Sequence, residues 1–281
     1  MPEHSHAASA PLTLIAPDRP AGAAGWRDLW AFRELLYFLV WRDLKVRYKQ
    51  TVFGAAWAVL QPLATMVVFA VFFGRLAQMP SDGVPYPLFA YAALVPWTYF
   101  ASALTTGALS LVGSQHLISK VFFPRLLIPL ASVITPLFDA LIALALMVLL
   151  LPWYGYGARM AMLTLPLFAV LMAGTALGGA LWLAALNVKY RDVRYVLPFF
   201  VQFWLFLTPV IYPASLVPEA WRFAYGLNPM ATVVEGFRWS LVGTAAPSIE
   251  MIAVSLAVVT LAIAGGVWYF RRTEGVFADV I

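Results

Sequence analysis

Residues 41–62, WRDLKVRYKQTVFGAAWAVLQP, join a basic amphipathic segment directly to the first wholly apolar run of the chain. The first half of this stretch carries four cations, Arg42, Lys45, Arg47 and Lys49. No further charged residue occurs until Arg75. Because cations concentrate at the cytoplasmic ends of membrane helices, this junction marks where a helix enters the bilayer and indicates which of its ends faces the cytoplasm.

The composition around this junction is that of an integral membrane protein. Hydrophobic residues make up 63% of the chain and charged residues 11%, which is too apolar for a soluble domain with a hydrated surface. The apolar runs are continuous, whereas the strands of a β-barrel alternate, so we predict an all-α polytopic membrane protein. The net charge is +5, and its cations lie beside apolar runs. Membrane lipids and membrane topology explain such cations better than nucleic-acid binding does.

Six apolar runs are long enough to cross a bilayer, since about 22 residues of helix rise roughly 33 Å. They cover residues 52–73, 88–112, 126–151, 160–186, 196–212 and 249–270. Several contain proline, which lipid tolerates only where neighbouring helices satisfy the freed backbone groups, so we expect a packed bundle over residues 52–270. With the N-terminus in the cytoplasm, fourteen of the eighteen Lys and Arg residues lie on that side, which predicts that both termini are cytoplasmic.

Four segments outside these runs have a composition of their own. Residues 1–25 form a predicted flexible tail and residues 271–281 a cytoplasmic one. Residues 26–51 form a predicted amphipathic helix along the cytoplasmic headgroups, although the same pattern occurs in a core helix of a soluble domain. Residues 213–248 are too long for a turn, and we predict two outer interfacial or re-entrant helices with Glu235 and Arg238 on their polar faces; an ordinary loop is the alternative. Their apolar faces carry Trp221, Phe223, Tyr225, Phe237 and Trp239.

The chain carries none of the common catalytic motifs. It has no GxxxxGK[ST] phosphate-binding loop, no HExxH and no GxSxG, and it has no cysteine. We therefore predict a protein that is not an enzyme, with no metal and no cofactor bound by this chain. Asp139 is the one ionisable residue deep in an apolar run, where it serves either proton handling or helix packing.

Aromatic residues form a further candidate surface. Phe199, Phe203 and Phe206 share one helical face, while Phe53 and Trp57 open the first run. Such faces could line a path for sugar rings, whose C–H surfaces pack on aromatic rings, although a lipid-facing stripe has the same pattern.

Four strings, in this order along the chain, resemble the membrane subunits of ATP-binding-cassette exporters for polysaccharides, the O-antigen, capsule and teichoic-acid permeases. They are residues 41–62, 117–129 (LISKVFFPRLLIP), 187–198 (NVKYRDVRYVLP), and 208–213 with 228–239 (TPVIYP and NPMATVVEGFRW). Together they cover most of the chain between residues 42 and 238.

The resemblance implies a homodimer that forms a channel and two copies of an ATPase subunit that bind ATP and Mg²⁺. Residues 115–125 would be the coupling segment that docks on the ATPase, and residues 213–248 would form an outer gate. The implied docking residues are Leu117, Ile118, Lys120, Val121, Phe122, Phe123, Pro124 and Arg125. An apolar centre between two cations suits a protein contact.

The implied cargo is a lipid-linked glycan that crosses the bacterial inner membrane. Its pyrophosphate would meet Arg42, Lys45, Arg47 or Lys49, although lipid binding and topology also explain these cations. A small-molecule exporter of the same superfamily and a membrane-embedded glycosyltransferase remain alternatives. The glycosyltransferase is disfavoured because the chain has no DxD pair, and a carrier that works alone would carry more intramembrane charge.

Overall fold

The computed structural model describes residues 26–49 and 56–277, and within them the chain forms helices and connecting segments without a strand. The predicted tail at 1–25, Phe53 and residues 278–281 lie outside the described residues. The α-helices are α1 (Trp26–Ala31), α2 (Arg33–Lys49), α3 (Ala56–Phe69), α4 (Tyr86–Gly113), α5 (Gln115–Lys120), α6 (Leu127–Ile134), α7 (Leu137–Leu150), α8 (Leu165–Lys189), α9 (Val193–Leu207), α10 (Glu219–Gly226), α11 (Pro229–Val242) and α12 (Ile249–Thr273).

The predicted all-α polytopic membrane fold is confirmed. Five helical stretches of the described chain are long and apolar enough to cross a bilayer. They are Val59–Leu76, Tyr86–Gly113, Leu127–Tyr154, Met160–Lys189 and Ile249–Thr273. The run at 196–212 forms the shorter helix α9, which ends at Leu207 because Thr208 precedes a proline and is extended.

Helix α4 is the centre of the bundle and packs against α3, α6, α7, α8, α9 and α11. Small residues allow its backbone to approach α8 directly. A Cβ added to Gly107 would lie 2.6 Å from the Cβ of Ala180, so a larger residue at Gly107 would push the helices apart. On its other side, α8 packs against α12 through Gly174 and Gly178, which lie against Val259 and Ala262.

The third span is divided into α6 and α7 by Pro136. Because proline has no N–H, it leaves the carbonyl of Ser132 without its helical donor. The hydroxyl of Thr106 on α4 donates to that carbonyl at 3.1 Å. The hydroxyl of Tyr99, also on α4, donates to the carbonyl of Val133 at 3.1 Å. The neighbouring helix therefore satisfies the interrupted backbone, as expected for a proline inside a packed bundle.

The N-terminal helices pack on the end of the bundle where α6 begins. Leu39 and Val40 of α2 are buried in a cluster that includes Leu127 of α6. The C-terminal end of α2 reaches beyond this cluster along the third span, because Arg47 contacts Asp139 of α7. Asp139 lies twelve residues beyond Leu127, or about 18 Å along a helix. Helix α2 thus follows the third span lengthwise in addition to covering its inner end.

Candidate functional site

The predicted coupling segment, residues 115–125, comprises α5 and the irregular residues that follow it. Ile118, Phe123 and Pro124 are buried, the first two in the same cluster as Leu39 and Val40, whereas Lys120 and Val121 are exposed. Leu117 is partly buried against the same cluster, and the side chain of Phe122 is 88% exposed. The buried residues anchor the segment. The ring of Phe122 projects from its surface, and no described neighbour covers it.

Arg125 ends the coupling segment and is held by the C-terminal end of the chain. Its backbone N–H donates to Oε1 of Glu274 at 3.3 Å, and its guanidinium donates to the Glu274 carbonyl. Phe277 is buried with its ring 5.2 Å from that of Phe270. We call Glu274 and Phe277 the C-terminal hook. Burial raises the pKa of Glu274, and the N–H and charge of Arg125 act in the opposite direction.

The four cations of α2 have different surroundings. Arg42 pairs with Asp43 at 2.8 Å, and the ammonium group of Lys45 lies 5.2 Å from the centre of the Trp41 ring. Arg47 pairs with Asp139 at 2.6 Å, and Lys49 is exposed. Arg42, Lys45 and Lys49 are exposed and lie three and four residues apart, on one face of α2. Arg47 lies on another face and is paired with a carboxylate of the third span.

Asp139 has two partners at the end of α2. The Tyr48 hydroxyl donates to Oδ1, and the Arg47 guanidinium pairs with Oδ2. We call Arg47, Tyr48 and Asp139 the interface clasp. A charge in an apolar span is costly unless it is paired, so the clasp accounts for this carboxylate. This geometry supports the packing interpretation of Asp139.

The predicted channel aromatics lie on exposed surfaces of the described chain. Phe199 is 78% exposed, and Phe203, Phe206 and Trp57 are also exposed. Helix α9 packs on α4 and α8, and only its Leu197 and Leu205 are buried. The structure thus leaves a continuous apolar stripe on α9, defined by Phe199, Phe203 and Phe206.

The predicted outer helices are present as α10 and α11, but their aromatic residues do not share one surface. Trp221 is exposed, whereas Phe237 is buried and Trp239 packs near Phe168 with ring centres 6.4 Å apart. Tyr225 shares a hydrogen bond with the hydroxyl of Tyr212. The side chain of Phe223 lies outside the described part of the chain.

Asn228 connects the outer helices to α9. Its Oδ1 accepts from the Met230 backbone N–H at 3.2 Å, which caps α11. The same oxygen accepts from the Trp204 indole at 3.1 Å, and Nδ2 donates to the Thr208 hydroxyl at 3.0 Å. The two parts of the outer string, 208–213 and 228–239, are therefore joined in space through this amide.

The prediction that Arg238 lies on a polar face is wrong, because its side chain is buried with 2% exposure. Its guanidinium donates to the carbonyls of Phe89 at 3.1 Å and Val210 at 2.7 Å, and lies 3.5 Å from the centre of the Phe89 ring. Its helical neighbours Val234 and Leu241 are both buried. This placement, four residues after one apolar residue and three before another, was the signal available in the sequence.

No group of three or more His, Asp or Glu residues that could hold a metal occurs in the described part of the chain.

Comparisons with known proteins agree with this architecture. Residues 34–242 match the family of ABC-2 type transporters. The chain is 30% identical over 260 residues to an O-antigen export system permease protein, RfbA, of Myxococcus xanthus, covering 91% of this chain and 98% of the relative. It is 28% identical over 208 residues to an RfbA permease of Klebsiella pneumoniae, covering 73% of this chain and 79% of the relative.

A more distant relative is the polysialic acid transport protein KpsM of Escherichia coli, which is 24% identical over 199 residues and covers 69% of this chain and 76% of the relative. The family match spans α2 to α11 and so includes the coupling segment and the outer helices. On this match and the membrane-spanning bundle, the chain belongs to the ABC-2 type transporter family of membrane permeases.

Proposed function

We propose that this chain is the membrane-spanning subunit of an ATP-driven exporter that moves a lipid-linked polysaccharide, such as O-antigen, from the cytoplasm to the outer side of the bacterial inner membrane. The permeases to which it is similar are named for O-antigen and polysialic acid export. The structural observation that carries the proposal is the coupling segment, whose buried residues anchor an exposed Phe122. An exposed aromatic residue on a fixed support is typical of a protein contact.

Energy for transport would come from a separate ATPase subunit that binds ATP and Mg²⁺, because the chain has no phosphate-binding loop. Helix α5 follows α4 after a single residue and leads into α6 through residues 121–126. A displacement of the coupling segment by the ATPase would therefore tilt the second and third spans. In this arrangement both termini and the coupling segment face the cytoplasm.

Two copies of the chain would form the channel. The exposed stripe on α9 gives each copy an apolar surface that its own bundle does not cover. Aromatic rings on such a surface offer flat faces to the C–H groups of passing sugars. The exposed Lys45 and Lys49 of α2 would contact the anionic end of the lipid carrier at the cytoplasmic interface.

The docking role of Phe122 is tested by Phe122→Ala, with Ser119→Ala on the exposed surface of α5 as the matched control. Removing an aromatic anchor from a protein interface weakens the binding free energy by about 2 kcal/mol. This corresponds to about 30-fold weaker binding of the ATPase to the permease. We expect less ATPase to co-purify and less glycan to reach the cell surface, while the amount of permease in the membrane stays unchanged. Full export by Phe122→Ala would refute the docking role.

The energy source is tested by reconstitution in vesicles with labelled lipid-linked glycan. Transport should require both the permease and its ATPase. Uphill movement of glycan by the permease alone would contradict the proposed function, as would export of small molecules with the glycan left behind.

A further inference from the structure

A charged turn joins α8 to α9 at the same end of the bundle as the coupling segment. The two helices are separated only by residues 190–192. Just before the turn, the side chain of Asn187 donates to the carbonyl of Ala108 at 3.2 Å, near the end of α4 that leads into α5. Three exposed cations lie within six residues here, and we call them the cationic turn: Lys189, Arg191 and Arg194.

The charges of the cationic turn are not matched by the protein. In the part of the chain that the structure describes, no carboxylate lies within ion-pair distance of any of its three members. Arg47, in contrast, is paired with Asp139. Asp192 is exposed between the cations, so three positive charges less one negative charge leave residues 189–194 with a net charge of +2. Such a surface attracts an anionic partner.

Two tyrosines fix the positions of these cations without changing their charge. Nζ of Lys189 lies 5.1 Å from the centre of the Tyr190 ring, and the guanidinium of Arg194 lies 4.6 Å from that of Tyr195. Nη2 of Arg194 also donates to the Tyr195 hydroxyl at 2.7 Å. A guanidinium has five N–H groups, so further donors of Arg194 remain for an oxyanion. Phosphate oxygens are the acceptors that this planar group binds in pairs.

The cationic turn leads directly into the exposed stripe on α9. Tyr195 lies four residues before Phe199 and therefore shares its helical face. The side chains of Tyr195 and Val196 are 62% and 61% exposed. From Tyr195 to Phe206 the helix rises about 16 Å. A ligand that matches this surface carries phosphate at one end and, next to it, groups that pack on aromatic rings.

We propose that the cationic turn binds the diphosphate that links the exported glycan to its lipid carrier. The inference rests on the proposed function, in which the rings of the stripe face passing sugars. It adds a second contact for the anionic end of the cargo to that of Lys45 and Lys49 on α2. The sugar next to the diphosphate then lies against Tyr195, at the start of the stripe.

The absence of cysteine from the chain allows a single fluorescent reporter, attached to Val196→Cys beside the turn. The full chain with its ATPase is placed in phosphatidylcholine nanodiscs, with and without added phosphatidylglycerol. The probe is farnesyl diphosphate, and farnesol is its uncharged counterpart. The tested variants are Arg191→Gln combined with Arg194→Gln, and Asp192→Asn. Arg272→Gln, an exposed cation at the end of α12, is the matched control.

We expect the reporter to respond to farnesyl diphosphate and not to farnesol. Each neutralised cation should weaken binding by about fivefold, so the double variant should bind about 25-fold more weakly, whereas Arg272→Gln should bind as the unaltered chain does. Asp192→Asn removes a repulsive charge and should strengthen binding by about fivefold. This gain keeps the test decisive if the double variant does not fold, because misfolding cannot raise affinity.

No binding by the unaltered chain, or equal affinity in all variants, would overturn the proposal. Loss of the response on addition of phosphatidylglycerol would assign the turn to bulk lipid, and loss of the ATPase from the double variant would assign it to the ATPase; either result overturns the proposal. Glycan export is measured in cells with the same variants. Normal export by the double variant refutes the role of the turn alone, whereas failure of the unaltered chain to export refutes the proposed function.

Discussion

At the scale of single residues, Arg238 joins the start of α4 to the segment between α9 and α10 through backbone carbonyls. Its donors contact Phe89 at the start of α4 and the segment that connects α9 to α10. Arginine presents five N–H groups in a rigid planar arrangement, whereas lysine has one ammonium group that cannot reach all these carbonyls. The geometry therefore requires arginine at this position.

Arg238→Lys should lower the free energy of unfolding by about 2–4 kcal/mol, because hydrogen bonds to a buried charged group are lost and carbonyls are left unpaired. The measurement is the thermal midpoint in detergent. Arg75→Lys, an exposed substitution at the end of the first span, is the control and should leave the midpoint unchanged. Equal midpoints for both variants would show that Arg238 does not hold these segments together.

Little at this scale could be predicted from the sequence. The apolar neighbours of Arg238 were visible, but its acceptors lie 28 and 149 residues away along the chain. Arg47 and Asp139 both stand out in the sequence by their charge, yet their pairing joins positions 92 residues apart. A spacing pattern defines the face of one helix, whereas such contacts depend on how two helices are placed relative to each other.

At the scale of elements, the interface clasp determines how α2 is attached to the bundle. Arg47→Ala leaves Asp139 without its cation, and we expect α2 to detach more readily, at a cost of about 1–2 kcal/mol because the pair is partly exposed. Hydrogen exchange of the α2 amides measures this opening. Lys49→Ala, two residues further along the same helix, should have no effect. The clasp would be unimportant for attachment if both variants exchanged at the same rate.

The C-terminal hook ties the end of α12 to the coupling segment, and Glu274 makes this tie pH-dependent. Burial raises the folded-state pKa of Glu274 above its ordinary 4.5. Its contribution to stability is therefore fully present below pH 4.5 and is lost as the pH rises through the raised pKa.

Glu274→Gln cannot titrate, so the unfolding free energy of the unaltered chain should fall relative to this variant by up to about 1.4 kcal/mol per pH unit in that window. Denaturation measured from pH 4 to pH 8 checks this difference. Glu250→Gln, exposed at the other end of α12, is the control. A constant difference between Glu274→Gln and the unaltered chain across this range would be inconsistent with a raised pKa.

The helices themselves were largely predictable. The outer pair at 218–226 and 230–242 corresponds closely to α10 and α11, because proline and the Asn228 cap define where these helices start. The run at 196–212 was predicted too long, since the extended Thr208 and Pro209 end α9 earlier. The packing of α2 along the third span was not predicted, because amphipathicity indicates an apolar face without identifying what covers it.

At the scale of the whole molecule, the stripe on α9 predicts where a second copy of the chain binds. Phe203→Cys should form a disulfide-linked dimer on oxidation in membranes, because the chain has no other cysteine and two copies that pack stripe against stripe would bring the two thiols together. Leu261→Cys, equally exposed on α12, is the control and should remain monomeric. Gel electrophoresis without reducing agent measures the outcome. Dimers from Leu261→Cys alone would move the interface to α12.

The division of the third span at Pro136 affects how the whole molecule can move. The inner part, α6, has eight residues and so forms a lever of about 12 Å. A sideways shift of about 2 Å at its first turn rotates it by roughly 10° about Pro136. Helix α2 packs on α6 through Leu39 and Val40 and is paired beyond this pivot with Asp139 of α7. A turn of α6 relative to α7 would therefore pull α2 in two directions, so α2 is the element that resists bending of the third span.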